Sequence, residues 1–357
     1  MPTYVAARGR NTHTMVSPLV ALGVDTPVLA APMAGGPTTP ALVGAAARAG
    51  GLGFVPGGYR TAAALAEQIA AVRSEGVAFG VNLFAPNPVP VDPDAFRRYA
   101  RAIAPDAGRH GIDALAAEPV EDDDQWADKV ALLLSDPVPV VSFTFGIPES
   151  PVVAALRSAG SLVVQTVTSA AEARAAAEAG ADVLAVQASA AGGHSGTLTP
   201  QRIPAAVPLE QLLGEVRAAV PLPLVAAGGL ATPAAVAGAL RAGADAAMVG
   251  TVLMRADEAG TSAPHRAALA DPARTGTVVT RAFTGRPARA LRNEFTDRHT
   301  DVAPAGYPAL HHLTGPMRKA ATAAGDQERI HLWAGTGYRQ ATEEPAERIL
   351  RRLASGI

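Results

Sequence analysis

The sequence predicts an α/β fold: a (β/α)8 TIM barrel with a small, mainly helical lid domain inserted near the C-terminus. Three observations carry this. Short apolar runs alternate with Ala-rich segments of helical period, the pattern of repeated βα units in a parallel sheet. Eight such runs occur, the number that a closed barrel of this kind needs. The phrase AxxAGAD recurs, in "AAAEAGADVLAVQ" and "ALRAGADAAMVG". Each time a Gly closes a helix and the next strand begins three residues later.

Taken in order, the strands are "PVLAA", "GLGFV", "VAFGVNLF", "VPVVSFTF", "LVVQTV", "DVLAVQ", "LPLVAAGG" and "AAMVGT". The helices between them include Pro40–Ala49, Ala62–Arg73, Pro151–Ala159, Ala170–Ala179, Leu209–Ala219 and Pro233–Arg241. Several open on Ser, Thr or Pro and close on Gly, as in "TPALVGAAARAGG", which supplies caps at both ends. An open doubly wound sheet is the alternative, but it usually carries fewer units, and "APMAGG" is not a GxGxxG turn. A barrel takes about 250 residues and leaves about 100 over. Some fall in Ala85–Asp124, Pro-rich and then acidic ("EPVEDDD"), which reads as a long surface excursion. Most run from Arg255 to Trp333, where the βα rhythm stops. Residues 255–333 are therefore read as a lid and substrate domain. Residues 1–254 and 334–357 form the barrel, with Pro345–Ala354 as its eighth helix.

Composition removes whole function classes. The chain has 357 residues, 48% hydrophobic and 17% charged, with formal net charge −2. That balance gives no field for nucleic acid or an anionic membrane. No apolar run reaches the roughly 20 residues of a spanning helix. The opening "MPTYVAARGRNTHTM" has two arginines but no apolar segment behind them, so no signal peptide is expected. The expectation is a cytoplasmic monomer or homodimer with small-molecule partners. With no cysteine, disulfides, thiolate nucleophiles, iron–sulfur clusters and Cys-ligated zinc are excluded. Lysine occurs only at Lys129 and Lys319, neither after a strand-like run, which argues against a Schiff-base lysine.

In a barrel the catalytic face is formed by the C-terminal ends of the strands. Here those ends are rich in Gly, which lets backbone amides approach a ligand closely. "AAGGLATP" and "MVGT" follow the seventh and eighth strands, where barrels commonly bind phosphate. Gly228, Gly229, Gly250 and Thr251 are the candidates; the alternative is that the glycines only make tight turns. Asn82 and Gln187 are neutral amides at strand ends, suited to the pyrimidine edge of an isoalloxazine. The phosphate-bearing cofactor is accordingly read as FMN, although each amide could instead satisfy loop backbone. Met33 suits either a ring wall or core packing.

"VLAVQASAAGGHSGT" leaves His194 on a loop with two glycines before it and no core to fill, which marks it as catalytic. The other histidines read as ordinary. His311 and His312 are adjacent, point different ways and make a poor metal pair, so they are placed on the surface; no metal site is expected. His265 reads as exposed on a lid helix. Arg286 and Arg289 in "TGRPAR" could face an anionic substrate or tie the lid to the barrel. The Pro between them favours a fixed corner. The run Glu121–Asp124 reads as solvated surface.

"APMAGGPTTPALVGAAARAGGLGFVPGGY", "GVNLFAP", "FTFGIP", "VVQTVTS", "AAGGHSG", "VAAGGL", "MVGT" and "TRAFTGRPARALRNEF" together resemble the class I nitronate monooxygenases, formerly called 2-nitropropane dioxygenases. The resemblance runs in order from about Thr26 to Trp333. It implies a barrel with a helical lid and non-covalent FMN. It also implies oxidation of alkyl nitronates by O2 to a carbonyl compound and nitrite through a flavin semiquinone, with propionate 3-nitronate a candidate substrate. By motif, the catalytic histidine falls on His194. FMN contacts fall on Pro32, Met33, Ala34, Asn82, Gln187, Gly192, Gly229, Met248, Val249, Gly250 and Thr251, with Gly193 making room beside Gly192. Family members commonly carry an acidic residue before "AGGH", where this chain has Ala190, so no carboxylate there orients His194.

An imidazole in that place can hydrogen-bond the anionic nitro oxygens or remove the α-proton of a neutral nitroalkane. His194→Asn is expected to keep FMN and to lose nitroalkane turnover more than nitronate turnover. The rivals are an FMN-dependent NAD(P)H:quinone reductase and a FabK-type enoyl-acyl-carrier-protein reductase, which share the "GGH" loop. From another class, the rival is a flavin-binding accessory protein without turnover.

Overall fold

The computed structural model describes Leu19 and residues 23–357, so the reading of the N-terminal segment lies outside the described residues. Side-chain caps set several helix starts. Thr39, Thr61, Ser169 and Thr232 stand in extended backbone, and each accepts a hydrogen bond from the amide three residues on. Gly180, at φ +98°, closes the helix it follows and releases the chain into the next strand.

The strands are β1 (Val28–Ala30), β2 (Phe54–Pro56), β3 (Gly80–Phe84), β4 (Val140–Thr144), β5 (Leu162–Val167), β6 (Val183–Gln187), the two-residue β7 (Gly193–His194), β8 (Leu224–Ala227), β9 (Ala246–Val249), β10 (Thr277–Thr280) and β11 (Ala288–Leu291). Eight of them pair in parallel in the order β1-β9-β8-β6-β5-β4-β3-β2. A parallel bridge between Ala30 and Gly53 brings β2 back to β1, which closes the (β/α)8 barrel. Leu29, Leu52, Phe54, Val140, Val164, Val183 and Val225 form one buried cluster inside it.

Around the strands stand α1 (Pro40–Arg48), α2 (Ala62–Arg73), α4 (Trp126–Ser135), α5 (Ser150–Ser158), α6 (Ala170–Ala179), α7 (Leu209–Ala219), α8 (Pro233–Arg241) and α12 (Ala346–Ala354). The last of these is the expected eighth helix: its Ile349, Leu350 and Leu353 are buried with Val28, Leu42 and Val236. Among the described residues no helix is long and apolar enough to cross a membrane.

The lid carries α3 (Pro93–Gly108), α9 (Ala263–Ala270), α10 (Glu294–His299) and α11 (Ala309–Ala323). Here the structure corrects the reading of Ala85–Asp124 as a surface excursion. Phe96, Tyr99 and Ile103 of α3 are buried with Phe283, Phe295, Leu310, Leu313 and Met317. A buried ionic knot fixes the same contact, since Asp106 accepts from Arg329 at 2.9 Å and meets His299 Nε2 at 2.9 Å. β10 and β11 are antiparallel, and β11 also pairs with β7, setting Ala288 opposite His194 and Arg289 opposite Gly193. The "GGH" loop is thus an edge strand of the lid's own sheet.

Candidate active site

The C-terminal strand ends and the lid enclose a cavity of about 330 Å³, at the lower end of the roughly 300–1,000 Å³ usual for small-molecule sites. Pro32, Met33, Ala34, Asn82, Gln187, Gly192, Gly193, His194, Gly228, Gly229, Met248, Val249, Gly250 and Thr251 all line it. Arg286 and Arg289 do not.

At one end the loops after β8 and β9 expose backbone. Gly228 and Gly229 hold φ of +113° and +76°, a conformation that L side chains rarely adopt. The amides of Gly229, Gly250 and Thr251 donate to no acceptor among the described residues. Three unbonded amides in residues that line one cavity supply the donors that an anion cradle needs. At the other end, Asn82 Nδ2 donates to Ser142 Oγ at 3.0 Å and Thr144 Oγ1 at 3.2 Å, which leaves Oδ1 as an acceptor. Gln187 is bonded to its own loop. Its Nε2 donates to the His194 carbonyl at 3.1 Å and its Oε1 accepts from the Gly196 amide at 2.7 Å. Gln187 thus holds the loop backbone while lining the cavity, and its second amide N–H has no partner among the described residues. Met33 lines the cavity and also packs on the core beneath it.

His194 meets Thr284 Oγ1 through Nε2 at 2.9 Å, while its Nδ1 is neither bonded to a described residue nor sealed inside the protein. Phe145, Tyr307 and Trp333 surround the ring at 5.6, 6.0 and 5.2 Å between centroids. Behind this wall lie two guanidiniums. Arg286 is fully buried over the Phe145 ring at 4.0 Å, and its Nη2 donates to the carbonyls of Phe145 and Thr197. Its Nη1 has no hydrogen-bond partner among the described residues. Arg318 donates to Thr314 Oγ1, to the His311 carbonyl and to two histidine rings. Neither is paired with a carboxylate among the described residues. Burial lowers each to about 10, so both stay charged at neutral pH. Burial first, then Arg286 and Arg318, pushes His194 down to about 3. The imidazole is therefore neutral, and the field at the cavity favours an anion.

Several lining residues escape a reading of strand ends alone. Tyr59 and Phe145 sit at φ +64° and +83° with their side chains at the cavity. Asp124 accepts from the Tyr59 amide at 3.0 Å and meets buried Lys129 at 2.7 Å. Asp124 is thus a brace for the wall, since a buried ammonium needs a counter-charge, while Glu121, Asp122 and Asp123 are exposed as expected. His265 corrects its expected exposure: it is buried, with Nε2 at 3.1 Å from the Trp333 carbonyl, and burial lowers it to about 4. His311 stacks on Tyr59 at 4.3 Å, while His312 pairs with Asp122 at 2.5 Å. Trp333, Gly335 and Gly337 also line the cavity. Their sequence signal was the "AGTGY" turn, a further glycine loop ahead of the last helix.

A sequence model of the nitronate monooxygenase family matches residues 17–356. A probable nitronate monooxygenase of Staphylococcus aureus (strain Newman) is 32% identical over 342 residues, covering 94% of this chain and 95% of that protein. Among solved structures, nitroalkane oxidase from Streptomyces ansochromogenes superposes with a TM-score of 0.89 at 45% identity, over 95% of this chain and 97% of that one. FabK from Thermotoga maritima gives 0.73 at 25% identity, over 95% of both chains.

Proposed function

The chain belongs to the nitronate monooxygenase family, and from that membership we propose that it oxidises an alkyl nitronate with O2 to a carbonyl compound and nitrite, using non-covalent FMN. It is an oxidoreductase, and the family and the nitroalkane oxidase neighbour support nitronate oxidation in general. The carrying observation is the neutral His194, its Nδ1 open to a cavity backed by two guanidiniums that form no ion pair with a carboxylate among the described residues. Such a wall favours a substrate that arrives as an anion.

The residues present fit FMN. The free amides of Gly229, Gly250 and Thr251 would hold its phosphate, Asn82 Oδ1 would accept from the ring's edge, and Met33 would lie along the ring. Bound there, FMN supplies one-electron redox chemistry. With Thr284 Oγ1 donating to Nε2, the proton of the neutral ring would sit on Nδ1, from which His194 would donate to the nitronate; at about 3 the imidazole is a weak base. This reading makes pre-formed nitronates, propionate 3-nitronate among them, better substrates than neutral nitroalkanes.

The test is anaerobic mixing of the flavin-loaded protein with propionate 3-nitronate and, separately, with NADH and NADPH, while the flavin spectrum is recorded. A one-electron spectral change with the nitronate and none with either nicotinamide is expected. Bleaching by a nicotinamide with silence toward the nitronate would replace this reading by a reductase of the FabK kind. A protein that takes up no FMN would overturn both.

A further inference from the structure

We propose that His331 is a fixed hydrogen-bond donor to an anionic oxygen of the substrate, and that Arg318 is the residue that fixes it. The ligand half of this inference rests on the nitronate reading; the tautomer half stands on geometry alone.

A guanidinium has only N–H donors and no acceptor. Arg318 Nη1 lies 3.2 Å from His331 Nδ1. That ring nitrogen must therefore be the acceptor, unprotonated, and the proton of the neutral ring sits on Nε2. His331 Nε2 is neither bonded to another described residue nor sealed inside the protein, and the ring lines the cavity. The N–H it carries is thus a donor offered to the ligand chamber. Arg318 is itself immobilised. Its Nε donates to Thr314 Oγ1 at 3.0 Å, and its Nη2 donates to the His311 carbonyl at 2.9 Å and faces His311 Nδ1 at 3.3 Å. Removing Arg318 would free the His331 ring to adopt either tautomer.

His331 also occupies a meaningful place. Trp333 stands between the two histidines, its ring 5.2 Å from that of His194 and 5.2 Å from that of His331. One chamber is therefore faced by an imidazole with a free Nδ1 and by another with a free Nε2–H. An oxyanion needs donors, and a protonated ring nitrogen beside a buried cation supplies one without adding a second mobile charge. His331 is in this sense a binding residue, and Arg318 a positioning residue acting through it.

The test combines a spectrum with kinetics on the FMN-loaded protein. ¹⁵N correlation spectra of the histidine rings should show His331 with a protonated Nε2 and an unprotonated Nδ1 in the wild type, and a mixed or reversed pattern in Arg318→Met. His331→Phe should keep its FMN and raise the KM for propionate 3-nitronate about tenfold or more. His331→Gln, which restores an N–H donor, should recover part of that loss. Ethyl nitronate separates the sources of the oxygen: a matching loss assigns the donor to the nitro group, and no loss assigns it to the remote carboxylate. A protonated Nδ1 in the wild type overturns the tautomer assignment. An unchanged KM in His331→Phe, in a background where wild type turns the nitronate over, overturns the ligand assignment. Inert wild type would instead sink the nitronate reading and the ligand assignment with it, while the spectrum still decides the tautomer.

Discussion

Arg286 shows how much one side chain can settle. Its guanidinium is held by the carbonyls of Phe145, Ser195 and Thr197, which come from loops after two different strands. It therefore fixes the His194 loop and sets its potential together. The reading of Arg286 as a structural corner captured the first role, and burial beside His194 adds the second. Arg286→Gln should keep some of the hydrogen bonds while deleting the charge. The His194 pKa should then rise from about 3 but stay below 6.5, because burial remains the larger cause. An NMR titration of the ring reads this directly, and a value still at about 3 would remove the charge account. A second consequence concerns turnover. His194 loses its proton far below neutrality, so the KM for nitronate should show no His194 ionisation between about pH 6 and 9. An inflection in that range that vanishes in His194→Asn would contradict the neutral assignment.

The element that holds the His194 loop is α6, through one carboxylate. Glu172 Oε1 accepts from Thr197 Oγ1 at 2.9 Å and from the Leu198 amide at 2.8 Å, while Oε2 takes the Thr168 hydroxyl at 2.8 Å. All the groups around it are donors, so an amide in its place would turn an N–H toward another donor. Glu172→Gln should lower the unfolding free energy by about 1–3 kcal/mol in denaturant titration. It should also weaken turnover by loosening the carbonyls that hold Arg286. Unchanged stability and turnover would show that the loop is held elsewhere. Elements were legible in the sequence where their signal is local. The barrel strands and capped helices announce themselves by apolar runs and by Thr or Gly at their ends. α3 has a helical spacing too, at Phe96, Tyr99, Ala100, Ile103 and Ala107, but prolines within it and the acidic stretch after it mask the pattern. Its partner surface lies some two hundred residues further on, and no local pattern names it. For the same reason the burial of His265 and the clamp on His331 could not be read from the chain. Both depend on which lid segments return to the cavity.

At the scale of the whole molecule, acid should be the weakness of this fold. Burial holds His194 at about 3 and His265 at about 4, and lowers His299, His311 and His331 as well. Unfolded imidazoles take up protons below about pH 6.5, whereas these folded ones take them up only at lower pH. The stability of the neutral folded form is therefore complete above pH 6.5 and is lost as pH falls below it. Each ring contributes up to about 1.4 kcal/mol per pH unit. A further loss follows at lower pH, as Asp106, held below its ordinary value by His299, Arg298 and Arg329 against the cost of burial, takes up its proton. Tm should fall steadily from pH 7 to pH 5, and a flat profile there would refute the account. The pairing of Gly193 and His194 with β11 carries a different lesson. The His194 imidazole is hydrogen-bonded to Thr284 of the appended layer, not to the barrel from which its loop springs. A chimaera that swapped this layer between relatives would import a new backbone partner for the histidine along with any new substrate contacts. In this architecture selectivity and reactivity are inherited together, and neither can be transplanted as a separate cassette.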